Sequence, residues 1–184
     1  ACGNGTRCVA DLLSKENNDK EIILWTSSGV LKSQILDDNL VETEIGVPKT
    51  NWNEIPLNQK LDTKNLNIKI VNKNNIEHVG GTSVNVGNPH VVFFVDNIED
   101  YDLKKIGPEI ENHSYFPEKC NVTLAQVINK KLIKVKVWER GAGLTKACGT
   151  AACATAVAAN INELTDKTTD IEFALGRLSI SIDE

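Results

Sequence analysis

The chain has 184 residues, 41% hydrophobic and 24% charged, so it can bury a core and suits one large or two small domains. Its 25 acidic residues outnumber its 20 lysines and arginines, and the net charge of -5 disfavours nucleic acid as a partner. We find neither a signal-peptide pattern nor an apolar run near the roughly 20 residues that a membrane helix needs. We therefore expect a cytoplasmic protein that does not bind membranes.

The first predicted elements are a helix and three strands. The helix follows Ala1-Cys2-Gly3, because Cys8, Val9 and Leu12 recur at helical spacing. Short runs of β-favouring residues separated by turns then predict strands at 22–26, 30–36 and 40–45. An irregular polar segment begins after Gly46-Val47-Pro48, and we place a domain boundary between residues 47 and 48.

The remaining residues predict a larger group of strands with two helices. Leu103, Ile106 and Ile110 indicate a helix over 100–111, which Pro108 is expected to bend or restart. An alanine-rich helix over 151–164 is expected to be packed closely on all sides, since small side chains let neighbouring backbones approach. Strands are predicted at 68–71, 76–79, 83–86, 91–95, 120–127, 131–138, 171–175 and 177–182. The order of thiol, helix and sheet occurs twice, which suggests two related α/β halves.

Two cysteines occupy matched positions in those halves. Cys2 and Cys148 each follow an alanine and precede a glycine and a predicted helix. Backbone N–H groups without partners project from a helix N-terminus, and such a place favours a thiolate. Two thiols on opposite faces of a substrate can remove one proton and supply another, which inverts a stereocentre. The pattern indicates an epimerase or racemase, although a lone cysteine is more often an ordinary core residue.

The other cysteines do not indicate a framework of disulfides or a metal site. Five cysteines are too few and too scattered for the first, and their spacing does not match structural zinc, so we expect no metal. Cys8 and Cys153 lie within the predicted helices, where we expect both to pack in the core. Cys120 is expected to be structural.

Five motifs together carry a resemblance to a known family. In family order, they are Ala1-Cys2-Gly3-Asn4-Gly5-Thr6-Arg7-Cys8, Gly87-Asn88-Pro89-His90, Phe116-Pro117 with Asn121-Val122, Glu139-Arg140-Gly141-Ala142-Gly143, and Ala147-Cys148-Gly149-Thr150. The chain closely resembles the diaminopimelate epimerase family over nearly its whole length. The resemblance implies an α/β (α+β) fold of two pseudo-symmetric domains, each a curved, mostly antiparallel sheet wrapped around a central helix, with the active site in the cleft between them.

The resemblance also implies how the chain is divided. Residues 1–47 would be the remnant of an N-terminal epimerase domain and residues 48–184 the C-terminal domain. Family members carry further residues upstream, including two segments that line the substrate site, and a tail downstream. We therefore expect this chain to be a piece whose first domain is incomplete.

Each motif residue receives an expected role. Cys2 and Cys148 would be the acid/base pair, so that no cofactor is needed, and backbone N–H groups at both helix starts would hold the substrate α-carboxylate. The residues expected to supply those N–H groups are Gly3, Asn4, Gly149 and Thr150. The resemblance implies that His90 and Glu139 orient and tune the thiols, and that Asn88, Asn121 and Arg140 bind the distal amino-acid end of the substrate.

The expected reaction is epimerisation of LL-2,6-diaminopimelate to the meso form, in lysine and peptidoglycan precursor synthesis. The expected partner is a small amino-acid substrate, and a homodimer stays open. One alternative is a proline or hydroxyproline racemase-like isomerase, but Asn4 stands after Gly3 where that family usually has histidine. The other alternative is an inactive fragment that serves only for folding or dimerisation.

Overall fold

The computed structural model describes residues 3–26, 29–38 and 40–183. By their internal contacts the residues fall into two compact units, 1–47 and 48–184. The predicted secondary structure is confirmed in outline in both units, with most element boundaries displaced by one to three residues.

Unit 1 is a helix packed on a three-stranded sheet. Helix α1 (Gly3–Asn17) is followed by β1 (Glu21–Thr26), β2 (Gly29–Ile35) and β3 (Val41–Thr43), paired antiparallel in that order. The buried residues of α1 are Gly3, Thr6 and Ala10, whose spacing of three and four defines one narrow stripe. The other residues of α1 are half-buried or exposed, and Cys8 is among the exposed ones, so the expectation that Cys8 packs in the core was wrong.

Unit 2 contains a small hairpin and a larger mixed sheet. The hairpin pairs β4 (Ile68–Val71) with β5 (Glu77–Gly80). The sheet has seven strands, and two helices accompany it. In chain order these elements are β6 (Thr82–Asn85), β7 (Pro89–Phe94), α2 (Leu103–Glu111), β8 (Asn121–Asn129), β9 (Leu132–Glu139), β10 (Gly143–Thr145), α3 (Gly149–Ile161), β11 (Thr168–Phe173) and β12 (Gly176–Ser181).

The order of strands in the larger sheet is β12-β11-β9-β8-β7-β6, and β10 pairs with β9 beside this path. Strands β7 and β8 run parallel, as do β9 and β11, and the other pairs are antiparallel. The first parallel pair is joined through α2 and the second through α3, in keeping with the crossover that parallel strands require.

The two faces of the sheet bury two different cores. Because side chains alternate along a strand, Val122 and Leu124 of β8 lie in one core while Ala125 lies in the other. The first core includes α2 and the β4 strand, and the second surrounds α3. Eight of the thirteen residues of α3 are buried, which confirms that this alanine-rich helix is enclosed.

Helix α2 continues through Pro108 as a single element, so the helix does not restart there. Its N-cap is Asp102, whose side chain accepts a hydrogen bond from Lys104 N. The buried residues of α2 are Leu103, Ile106, Gly107, Ile110 and Glu111. A carboxylate therefore lies on an otherwise apolar stripe.

Candidate active site

Strand alternation places three polar side chains on the α3 face of the sheet, where β7 and β8 begin and β9 ends. His90 has the same parity as Val92 on β7, and Asn121 the same parity as Ala125 on β8; both apolar residues belong to the core around α3. His90 and Asn121 are direct partners across the parallel pair. Glu139 is the last residue of β9 and lies at this same end of the sheet, because β9 runs antiparallel to β8.

Cys148 lies at the start of α3, where the sequence predicts a thiol. It is the N-cap residue, with extended φ and ψ of -149° and 114°, and it is only 6% exposed. Its Sγ lies 3.4 Å from the Oγ1 of Thr150. Gly149 and Thr150 begin the helix, and N–H groups in a first helical turn have no acceptor within the helix.

The surroundings of Cys148 act on its pKa in opposite directions. Burial raises the pKa of the thiol, whereas the Thr150 hydroxyl and the Ala151 N–H lower it by hydrogen bonding to the sulfur. The Glu139 carboxylate raises the pKa by its charge and by accepting a hydrogen bond from the protonated thiol. The net shift is upward, so Cys148 is a protonated thiol at neutral pH, and the groups that would stabilise its thiolate are already in place.

His90 is fully buried and neutral. Its Nε2 lies 3.0 Å from Asn88 Oδ1 and 3.5 Å from Asn121 Nδ2. Burial, followed by the charge of Arg140, lowers the pKa of His90 to about 3. With Asn88 Oδ1 as acceptor, Nε2 carries the proton, and Nδ1 has no hydrogen-bond partner among the residues that the structure describes.

Asn121 joins the start of β7 to the turn after β9. The side-chain Nδ2 donates to the carbonyl of Pro89 at 2.9 Å, and Oδ1 accepts from the N–H of Arg140 at 3.0 Å. A primary amide has a second N–H and a second lone pair, so the expected contact with substrate would have to use these. Asn121 is 2% exposed, and its described contacts make it a support for the site.

Arg140 is exposed at the rim of this region. Its Nη1 donates to the carbonyl of Glu118 at 2.7 Å, which leaves further guanidinium N–H groups for another partner. The structure thus brings seven of the predicted site residues to one end of the sheet and of α3, and Gly149 starts the same helix. The seven are Asn88, His90, Asn121, Glu139, Arg140, Cys148 and Thr150.

Cys2, Gly3 and Asn4 are the predicted site residues that belong to unit 1. Cys2 lies outside the described residues. Gly3 is buried at the start of α1, and Asn4 Oδ1 accepts a hydrogen bond from Arg7 Nη2 at 2.7 Å. The pairing of Cys2 with Cys148 across one substrate stays a prediction.

Glu111 is a contributor that the sequence analysis overlooked. Its carboxylate is 6% exposed and binds Trp138 Nε1 at 2.7 Å and Gly141 N at 3.1 Å. It therefore holds the turn on which Glu139 and Arg140 lie. A signal was present in the sequence, because Glu111 falls on the apolar stripe of α2.

Within residues 3–26, 29–38 and 40–183, no group of three or more His, Cys, Asp or Glu side chains could hold a metal ion. In the same described part of the chain, no helix is long and apolar enough to span a membrane. Cys120 is buried, and its Sγ lies 3.5 Å from the carbonyl of Ile110.

Solved structures share this fold. A hydroxyproline epimerase from Agrobacterium vitis superposes with a TM-score of 0.67 at 12% identity, covering all of this chain and 58% of that one. A PhzF-family phenazine biosynthesis protein from Bacillus anthracis gives 0.61 at 13% identity, covering 97% and 66%. The fold is therefore the α+β fold that these epimerases and their relatives have in common.

Sequence similarity identifies the family within that fold. The diaminopimelate epimerase family model matches residues 82–184. A diaminopimelate epimerase of Pelagibacter ubique is 74% identical over the whole chain, which covers 67% of that protein. A diaminopimelate epimerase of Afipia carboxidovorans is 43% identical over 98% of the chain and 63% of its own length. The chain belongs to the diaminopimelate epimerase family, and it spans about two thirds of the length of these curated relatives.

Proposed function

We propose that the protein interconverts LL- and meso-2,6-diaminopimelate without a cofactor, with Cys148 exchanging a proton on one face of the substrate Cα and Cys2 on the other. The observation that carries the proposal is Cys148 at the N-terminus of α3 beside Glu139, in a chain 74% identical to a diaminopimelate epimerase. We extend the proposal to a cytoplasmic location and to a homodimer, and light scattering of the purified protein would test the homodimer.

In one direction the Cys2 thiolate takes the Cα proton, and the Cys148 thiol gives its proton to the opposite face. Carbon thus loses one C–H bond and gains another, the configuration inverts, and Cys148 is left as the thiolate. The Thr150 hydroxyl and the Ala151 N–H then stabilise the sulfur anion. In the reverse direction the Cys148 thiolate is the base.

The carbanion-like transition state needs electrostatic stabilisation, because an amino-acid Cα–H is a very weak acid. The first-turn N–H groups of Gly149 and Thr150 are suited to the substrate α-carboxylate, where the positive end of the α3 dipole favours negative charge. The Glu139 carboxylate accepts a hydrogen bond from the Cys148 thiol and raises its pKa, so the thiol keeps its proton until that proton is transferred to carbon. Because His90 is neutral, it adds no positive charge that would draw the substrate α-carboxylate away from the N-terminus of α3.

Arg140 and Asn88 are the proposed contacts for the distal amino-acid end. Arg140 is exposed and keeps guanidinium N–H groups beyond the one bound to Glu118. A planar guanidinium pairs with a carboxylate through two parallel hydrogen bonds. Replacing Arg140 by Lys would keep the charge and remove this geometry, so the variant should bind diaminopimelate more weakly than wild type.

The test is deuterium incorporation in D2O by the intact gene product. LL-diaminopimelate should gain deuterium at Cα as the meso form appears, followed by mass spectrometry and chiral chromatography. Proline and 4-hydroxyproline, run in parallel, test the racemase-like alternative. Deuterium in proline with none in diaminopimelate would overturn the proposal in favour of that alternative. Exchange into none of the three would favour an inactive protein.

A further inference from the structure

One buried carboxylate, that of Glu111 on α2, binds the turn between β9 and β10. Glu111 Oε2 accepts from the indole Nε1 of Trp138 at 2.7 Å, and Oε1 accepts from the backbone N–H of Gly141 at 3.1 Å. Trp138 comes directly before Glu139, and Gly141 directly after Arg140. The two bonds therefore lie on either side of the pair that the proposed mechanism uses.

Helix α2 is shaped to bring the carboxylate to this turn. A Cβ on Gly107 would lie 2.4 Å from two ring atoms of Trp138, so the indole fits against α2 only because residue 107 has no side chain. Glu111 follows four residues later on the same face and meets the N–H of the same ring. Gly107 and Glu111 together fix the position of Trp138.

The turn is fixed on its other side by Asn121. The Oδ1 of Asn121 accepts from the N–H of Arg140, so consecutive backbone N–H groups of the turn, at 140 and 141, bind side chains from β8 and α2. Strand alternation sends Trp138 toward α2 and Glu139 toward α3. A displacement of Trp138 is therefore carried directly to Glu139.

We propose that Glu111 is a positioning residue, which holds the 139–141 turn so that the Glu139 carboxylate stays beside the Cys148 thiol. Its carboxylate is suited to the task because both oxygens accept, whereas an amide would offer an oxygen to one donor and an N–H to the other. Lys119 Nζ lies 3.9 Å from Oε1 and partly balances the buried charge. The consequence for catalysis rests on the proposed function, but the positioning itself does not.

The experiment measures alkylation of Cys148 by iodoacetamide against pH, read from the fragment ions of its tryptic peptide in the intact gene product. The variants are Glu111→Gln, Glu139→Gln, the double variant, and Glu109→Gln as a matched change on α2. Cys8, which is exposed on α1, serves as an internal reference for the reagent. No substrate is needed, so this result is independent of the proposed reaction.

We expect Glu139→Gln to move the midpoint for Cys148 to lower pH, because the carboxylate raises the pKa of that thiol. Glu111→Gln should move it in the same direction by less, Glu109→Gln should leave it in place, and the double variant should match Glu139→Gln alone. An unchanged midpoint in Glu111→Gln would overturn the proposal. The proposal would also be overturned if Glu111→Gln shifted the Cys148 midpoint as much in the Glu139→Gln variant as in wild type. The Glu111 charge would then act on Cys148 directly and not through Glu139.

Glu111→Asp covers the case in which Glu111→Gln does not fold. Aspartate keeps the charge but is one methylene shorter, so it cannot reach both N–H groups. A lowered Cys148 midpoint in Glu111→Asp supports positioning, and a wild-type midpoint contradicts it. If the enzyme is active, kcat/KM for epimerisation should fall roughly 10- to 100-fold in Glu111→Gln.

Discussion

Helices α1 and α3 follow the same Ala-Cys-Gly motif and yet are packed very differently. Eight of the thirteen residues of α3 are buried, whereas only Gly3, Thr6 and Ala10 are buried among the fifteen of α1. Strands from both edges and the middle of the larger sheet contact α3, while α1 packs on three short strands. The same motif therefore begins both helices, and the described strands enclose α3 more completely than α1.

The difference has a chemical consequence. At the start of α3, the enclosing strands supply Glu139, Asn121 and His90 to the region of Cys148. At the start of α1, Asn4 Oδ1 accepts a hydrogen bond from Arg7 on the helix itself. Unit 2 thus holds an organised thiol site by its own contacts.

The largest predicted effect is on catalysis. Cys148→Ala removes the proposed acid on one face of the substrate, so meso product should not form at a measurable rate, a loss of at least roughly 10²-fold. Cys8→Ala removes an exposed thiol from α1 and should leave the rate within about twofold of wild type. The measurement is the rate of meso product formation. Equal rates in the two variants would remove the proposed role of the α3 thiol.

The second effect concerns packing, with the same substitution in each helix. Val157→Ala in α3 removes a side chain that is 8% exposed and should lower the free energy of unfolding by about 2 kcal/mol. Val9→Ala in α1 removes one that is 45% exposed and should change it by less than about 0.5 kcal/mol. Urea titration of each variant measures the difference. Similar losses would show that the two helices are enclosed to the same degree.

The third effect is a pH dependence of stability that arises in unit 2. His90 has a pKa of about 3 when folded and 6.5 in its ordinary state, so below pH 6.5 the unfolded chain binds a proton that the folded chain does not. This contribution to stability is complete above pH 6.5 and is lost as the pH falls toward 3. The loss is up to about 1.4 kcal/mol per pH unit.

His90→Gln removes this proton uptake. Unfolding free energies measured in urea at pH 7, 6 and 5 should therefore decline less steeply in the variant than in wild type. The variant will be less stable at every pH if Gln packs poorly, but the slope reports the titration alone. If the free energy of unfolding fell equally steeply with pH in the two proteins, His90 would have to be protonated in the folded state as well.

Local patterns in the sequence predict the elements well where side chains alternate or recur clearly. The strand over 68–71 agrees with β4 at both ends, and the alanine-rich helix was predicted from small residues alone. That helix begins two residues earlier than predicted, since Cys148 adopts the extended N-cap conformation directly before Gly149. Strand β10 was missed because three residues after a glycine turn carry no period.

The arrangement of the elements could not be predicted from local patterns. Parallel pairing of β11 with β9 places Asp170 beside Leu132, a contact between residues far apart in the chain. The motif resemblance names Glu139 and Cys148 together, and the structure places the Glu139 side chain beside the Cys148 thiol. The resemblance could not supply the contacts of Glu111, which depend on how α2 crosses the sheet. Cys8 was misplaced because the buried stripe of α1 runs through Thr6 and Ala10.

If one thiol serves each face of the substrate, a crossed exchange experiment will separate the two faces. Cys2→Ala and Cys148→Ala are each incubated in D2O with LL-diaminopimelate and, separately, with the meso form, and deuterium at Cα is measured. Neither variant should epimerise. Each variant should still exchange the Cα hydrogen that faces its remaining thiol. The two variants should therefore show opposite preferences for L and D centres. Equal exchange of both centres by both variants, or epimerisation by either, would contradict the assignment of one thiol to each face.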